Sequence, residues 1–175
     1  HHALDLIKKG YFGKLTHVRA QWNRNGSWRR AVPDPNNREL ERLLNWRLYK
    51  DRSRGLMAEL GSHQIDITNW FTGEHPISVV GIGGIDFYKD GREVYDNVQV
   101  IFEYPSGLKL TYQSIQTNAF DDFTEQFMGT KGTLITSEAA GKSMMFKEQS
   151  AEEFEFAKYS QSKTKVGGKE AILLD

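Results

Sequence analysis

At 175 residues the chain suits one domain, long enough to bury a single core without disulfide or metal staples. Lysine plus arginine and aspartate plus glutamate balance at 23 each, so no global field drives the chain toward nucleic acid or membrane, and any charge argument has to be local. The absence of cysteine excludes disulfide scaffolds, thiolate zinc sites and cysteine nucleophiles together, and no apolar run approaches the ~20 residues of a membrane span.

The start, His1-His2-Ala3-Leu4-Asp5-Leu6-Ile7-Lys8, is not a signal peptide and opens inside an amphipathic helix without a lead-in. The expectation is a piece of a longer, soluble, cytoplasmic protein. Ala3 to Lys9 reads as the end of a helix stopped by Gly10, and Leu15 to Trp22 alternates with the period of a strand. From Asn23 to Arg54 the pattern dissolves into a long excursion holding Pro33-Asp-Pro-Asn-Asn37 and a short helix at Arg38 to Leu44. Long ordered loops in compact domains are often functional. A helix closed by Gly73 follows, then Ile77 to Phe87 as a strand, a turn at Asp90-Gly91, and a hairpin of Asn97 to Tyr104 with Leu108 to Thr117 around Pro105-Ser-Gly107. Phe123 to Met128 and Thr133 to Thr136 flank the turn Gly129-Thr-Lys-Gly132, Ser143 to Lys147 is a further short strand, and Ser150 to Lys169 reads as a polar, loosely held tail. These elements predict an α+β domain, an open, mostly antiparallel or mixed sheet of five or more strands with helices on one face. In the hairpin, Val98, Val100, Phe102, Tyr104, Leu110 and Tyr112 fall on one side. Asn97, Gln99, Ile101, Glu103, Thr111, Gln113 and Ile115 fall on the other, a mixed face suited to pairing with a second copy.

The helix ending at Gly73 carries the chemistry. Glu59, His63 and Asp66 stand at i, i+4 and i+7, which on a regular helix puts them within an arc of roughly 60° together with Trp70, beside a greasy arc of Leu56, Leu60, Ile67 and Phe71. An imidazole beside a carboxylate can take and return a proton at neutral pH. Gly61 weakens the helix by about 1 kcal/mol relative to alanine, and Ser62, a good N-cap residue, offers a later start. Two other readings stay open: a plain surface histidine, and a metal site of Glu59, His63 and Asp66. The lack of cysteine and of a second His/carboxylate cluster argues against the metal.

Two glycine-rich stretches invite a nucleotide reading and fail it. Gly81-Ile-Gly83-Gly84 runs on as strand into Ile85-Asp-Phe-Tyr88 without opening the helix whose N-terminus would hold a pyrophosphate, and Gly129-Thr-Lys131-Gly-Thr133 joins two strands. No cofactor site is therefore expected in this chain. The segment from Trp22 to Arg54 carries nine Lys/Arg against four Asp/Glu, interleaved with Trp22, Trp28, Trp46 and Tyr49. That mixture could stack bases and neutralise phosphates. It could equally line a sugar pocket, and the His63 helix following directly favours the sugar.

The run Gly55-Leu-Met-Ala-Glu-Leu-Gly-Ser-His-Gln-Ile-Asp-Ile-Thr-Asn-Trp-Phe-Thr-Gly73, with Ile7-Lys-Lys-Gly-Tyr-Phe-Gly-Lys-Leu-Thr-His-Val18 before it and Gln126-Phe-Met-Gly-Thr-Lys-Gly-Thr-Leu134 after it, resembles the C-terminal domain of the Gfo/Idh/MocA oxidoreductases. The resemblance implies that residues 1–175 are the single substrate-binding and oligomerisation domain of an NAD(P)-dependent enzyme acting on a sugar, cyclitol or related polyol. An N-terminal Rossmann domain holding NAD or NADP and a catalytic lysine would lie outside this chain, and the chain alone would be inactive. In the family a histidine on this helix acts with an aspartate four residues earlier, and the matching positions are His63 and Glu59, with Glu in place of Asp. His63 would then accept the hydroxyl proton and Glu59 orient the ring and favour its protonated form. Trp22, Arg24 and Trp46 are the candidates for substrate binding. The alternatives are an NAD-dependent glycosidase of the same family and a non-catalytic domain that buries its sheet face against another copy. A small-molecule sugar or polyol and a homo-oligomeric partner are the partners expected, with no nucleic acid, membrane or metal.

Overall fold

The computed structural model describes residues 1–137, 141–153 and 162–174. Among the described residues three α-helices, α1 (His2–Lys8), α2 (Arg38–Leu44) and α3 (Ser62–Thr72), lie among nine strands: β1 (Leu15–Trp22), β2 (Ser78–Gly84), β3 (Asn97–Glu103), β4 (Lys109–Ile115), β5 (Phe123–Gly129), β6 (Gly132–Thr136), β7 (Met144–Lys147), β8 (Lys163–Val166) and β9 (Lys169–Leu173). The strands form one mixed sheet in the order β2-β3-β4-β1-β5-β6-β7-β9-β8, in which β1 runs parallel to β4 and every other pairing is antiparallel. This is the predicted α+β class.

The core lies on one face only. Val18 and Ala20 of β1, Val98 and Phe102 of β3, Leu110 and Tyr112 of β4, Phe127, Leu134, Met145 and Ile172 pack there against Leu6, Leu56 and Leu60. Strict alternation puts Arg19, Gln99, Ile101, Thr111 and Gln113 on the opposite, open face. Val80 and Ile82 of the edge strand β2 are also exposed, and register aligns them with Ile101 and Gln99. Burying a ring such as that of Phe127, fully inaccessible to solvent, is worth enough that its truncation typically costs about 3–5 kcal/mol.

Local chemistry explains the turns. α1 ends at Lys9 before Gly10, whose φ of 77° is easy only for glycine. α2 starts where the Asn37 side chain accepts from the Leu40 backbone N–H at 2.9 Å. Gly129 lets the backbone of β5 come against the Phe12 carbonyl, where any Cβ would collide. Two features depart from the sequence reading. The segment 163–173, assigned largely to a loose tail, forms the β8–β9 hairpin around Gly167 and Gly168, with Ile172 buried, while residues 154–161 of that tail lie outside the described residues. The helix ahead of α3 is not regular either: Met57–Gly61 forms a π-helical turn that leads directly into Ser62. Among the described residues no helix is long and apolar enough to cross a membrane.

Candidate functional site

The C-terminal end of β1, the N-terminal end of β5 and the start of α3 meet at one end of the sheet. Trp22 closes β1 and its indole lies 5.5 Å from the His63 ring and 4.9 Å from that of Phe123, its register partner on β5. The Arg24 guanidinium sits 5.3 Å from the Trp22 ring centroid, within cation–π reach. His63 itself is exposed, one residue ahead of the buried Gln64.

Glu59 lies in the π-helical turn. A π turn is wider than an α turn, so residue i+4 is no longer stacked above residue i, and such turns are frequent at functional sites. The Glu59 carboxylate faces the excursion: Arg47 Nε donates to Oε2 at 3.1 Å and Ser53 Oγ to Oε1 at 3.2 Å. Among the described residues no hydrogen bond joins Glu59 to His63. Gly61, at the junction, lets the helix press on the buried Tyr112 ring, which would stand 3.0 Å from an added Cβ.

A cleft of about 310 Å³ is lined by Trp22, Arg24, Trp28, Arg47, Glu59 and Leu60. A neighbouring one of about 340 Å³ shares Trp22 and Arg24 and reaches Asp122 and Phe123. The excursion therefore folds back on the β1 end rather than into solvent. Of the residues singled out from sequence, Trp22, Arg24 and Glu59 share the first cleft, and His63 adjoins it through Trp22. Trp46 does not line it. Trp46 stands on the turn Trp46–Leu48 with the Arg47 guanidinium 4.5 Å over its ring, so it backs Arg47. Trp70 is at the far end of α3, edge-on to His1. Sequence reasoning passed over Arg47 and Ser53, which hold Glu59; the signal present was a positive charge beside Trp46.

Trp28 stands at a φ of 62°, a conformation a bulky side chain adopts at a cost of about 1–3 kcal/mol. Its neighbours are tied on both sides. The Ser27 carbonyl accepts from Arg92 at 2.8 Å, and Arg29 reaches Glu41 at 2.6 Å and Asp90 at 3.1 Å. The Arg30 N–H and carbonyl both bond the buried Asn45 side chain. Arg92, its side chain fully buried, also bonds Asp90 at 2.9 Å and Gln116 at 2.6 Å and lies over the Tyr88 ring. The hydrogen bonds from Arg92, aided by those from Arg29, hold the Asp90 carboxyl far below the usual carboxylate range against the opposing effect of burial. Burial works to raise Glu41 as well, and hydrogen bonds from Tyr49 and Arg29 outweigh it. These bonds fix the excursion in place beside the cleft.

A wider groove of about 680 Å³ lies on the open face, among Arg19, Val80, Ile82, Ile101 and Phe120, away from His63. Among the described residues no group of three or more His, Asp or Glu side chains could hold a metal ion. Gly81 and Gly83 lie within the strand β2, and Gly129 and Gly132 at the ends of β5 and β6.

The family model described as the GFO/IDH/MocA C-terminal domain matches residues 1–135. Among curated proteins no sequence match is found. Levoglucosan dehydrogenase, solved in complex with NADH and levoglucosan, aligns with a TM-score of 0.67 at 19% identity over 85% of this chain and 40% of its own. A super-repressor mutant of Gal80p from Saccharomyces cerevisiae aligns with a TM-score of 0.69 at 15% identity, covering 99% of this chain and 42% of its own. For the aldose-aldose oxidoreductase from Caulobacter crescentus complexed with glycerol the TM-score is 0.60 and the identity 21%, over 86% of this chain and 41% of its own. The chain thus spans about two fifths of the length of these structures, and identities this low show a shared fold.

Proposed function

The chain belongs to the Gfo/Idh/MocA C-terminal domain family, and on that premise we propose that it is the substrate-binding and oligomerisation part of an NAD(P)-dependent oxidoreductase acting on a sugar, cyclitol or related polyol. The observation that carries this reading is the cleft at the β1 end, where Trp22, Arg24, Trp28 and Glu59 gather beside His63. Indoles pack against the C–H faces of a sugar while guanidinium and carboxylate groups bond its hydroxyls. The solved relatives bound to levoglucosan and to glycerol are in keeping with that chemistry.

In this reading His63 accepts the proton of the hydroxyl at the carbon to be oxidised. Its ring is positioned by Trp22 rather than by Glu59, whose carboxylate, held by Arg47 and Ser53, is free to take part in binding substrate hydroxyls through its remaining acceptor capacity. The nicotinamide supplies the hydride acceptor when bound. Among the described residues no glycine-rich strand-to-helix turn stands ready to cradle a dinucleotide, and this reading assigns NAD or NADP to a nucleotide-binding domain outside the chain. The chain alone accordingly binds neither and catalyses nothing. Calorimetric titration of the chain with each nucleotide tests that point, and micromolar binding would overturn it.

The open face of the sheet, with Val80, Ile82 and Ile101 exposed, is proposed to pair with a second copy about a two-fold axis. The test of the catalytic reading is His63→Ala in the full-length enzyme, expected to lower turnover by about 10²–10⁴-fold with folding unchanged. Near-normal turnover would refute it. One observation favours a second, non-catalytic reading: Glu59 is bonded to Arg47 and Ser53 and not to His63, so the carboxylate–imidazole pair expected of the family is not closed. That same substitution separates the two.

A further inference from the structure

The side chains of the cleft are unequally engaged. Trp22 already meets His63, Phe123 and Arg24. Among the described residues Trp28, partly buried against the core, makes no ring or cation–π contact, although it lines the same cleft and is held in a left-handed conformation by bonds to its neighbours on both sides. A backbone kept in so disfavoured a state marks a position whose side-chain direction matters. The charges are unequal too. Glu59 is neutralised by Arg47 at 3.1 Å, and Asp122, in the adjoining cavity, faces Lys142 at 3.7 Å. Arg24 lines both cavities and, unlike Arg47, Glu59 and Asp122, has no ion-pair partner among the described residues.

Resting on the sugar-site reading above, we infer that the ligand is a sugar acid, whose C–H face lies on the Trp28 indole and whose carboxylate is received by Arg24. A guanidinium presents a planar fork that matches a carboxylate in bidentate fashion. The cation–π contact of Arg24 with Trp22 restricts the fork, and because Trp22 also touches His63, the carboxylate and the reacting hydroxyl are received beside a single indole. A free lysine at the same place would offer neither the fork nor the stacking.

The experiment is a titration of the full-length protein with glucuronate, galacturonate and gluconate, each beside its neutral counterpart glucose, galactose or glucitol, followed by the NMR indole N–H signals of its tryptophans. At least one acid should bind tenfold or more tightly than its counterpart and shift the Trp28 signal. Arg24→Gln should reduce that preference to within about twofold. Trp28→Ala should weaken acid and neutral ligand alike by about tenfold, with most of the loss restored in Trp28→Phe. Equal binding of acids and neutral sugars, or a preference that survives in Arg24→Gln, overturns the anionic assignment while leaving the sugar cleft standing. Binding that leaves the Trp28 signal unmoved overturns its role as the platform. If no probe moves any indole signal, the sugar reading fails and this inference with it.

Discussion

Replacing Asp90 by asparagine keeps the shape of the side chain and removes its charge, leaving the fully buried guanidinium of Arg92 without a carboxylate. Asp90 now accepts from Arg92 through both carboxylate oxygens and from Arg29 through one of them. An amide turns one of those oxygens into a donor aimed at donors. Removing one partner of a buried pair costs about 3–5 kcal/mol. The Asp90 side chain is 21% exposed and that of Arg29 28%, so water relieves part of the penalty and the lower end, about 3 kcal/mol, applies. For a chain of this size each kcal/mol moves Tm by about 2–4 °C, which gives a loss of about 6–12 °C at pH 7. The folded Asp90 carboxyl lies below its unfolded value. Its contribution is therefore complete above the unfolded value near 3.9 and is lost as pH falls toward the folded one. Melting curves followed by circular dichroism should accordingly show the wild-type advantage intact at pH 7 and shrinking below about pH 4. A Tm change under about 2 °C at pH 7, or a gap that widens toward acid, would refute the reasoning.

Gly61→Ala gains about 1 kcal/mol of helix propensity but drives a methyl to 3.0 Å from the ring of Tyr112, which is buried and cannot step aside. Overpacking of about 1–3 kcal/mol wins or nearly cancels, so urea denaturation should show no stabilisation, and a clear gain would mean looser packing there. Ile82→Arg or Val80→Arg on the open face should convert a dimer into monomers in light scattering without lowering Tm. An unchanged dimer would place the interface elsewhere.

Where local pattern governs structure, it was legible. The α2 bounds follow from the Asn37 cap and the apolar spacing after it, and the β3–β4 hairpin from strict alternation around Pro105-Ser-Gly107. The parallel pairing of β1 with β4 is set by tertiary packing between strands some 90 residues apart and has no local signature. The β8–β9 hairpin carries three lysines, two of them on β8 at the sheet edge, where charged strands guard against further pairing, and that composition resembles a tail. At the site, the shared arc of Glu59 and His63 presumes regular helix, and the π-helical turn removes the premise. The grouping of Trp22 and Arg24 was readable from their neighbourhood on one strand end. The place of Trp46 beside Arg47, outside the lining of that cleft, was not. Nothing in the local sequence announces a left-handed Trp28, since the bonds that impose it come from Arg92, Asp90 and Asn45, distant in the chain.

A crystal structure of the full-length protein with nicotinamide nucleotide and a bound sugar or sugar acid should show a ligand hydroxyl within about 2.6–3.2 Å of a His63 ring nitrogen, with the ligand in the cleft between Trp28, Arg24 and Glu59. A sugar bound elsewhere, with His63 turned to solvent and the cleft empty, would contradict that placement.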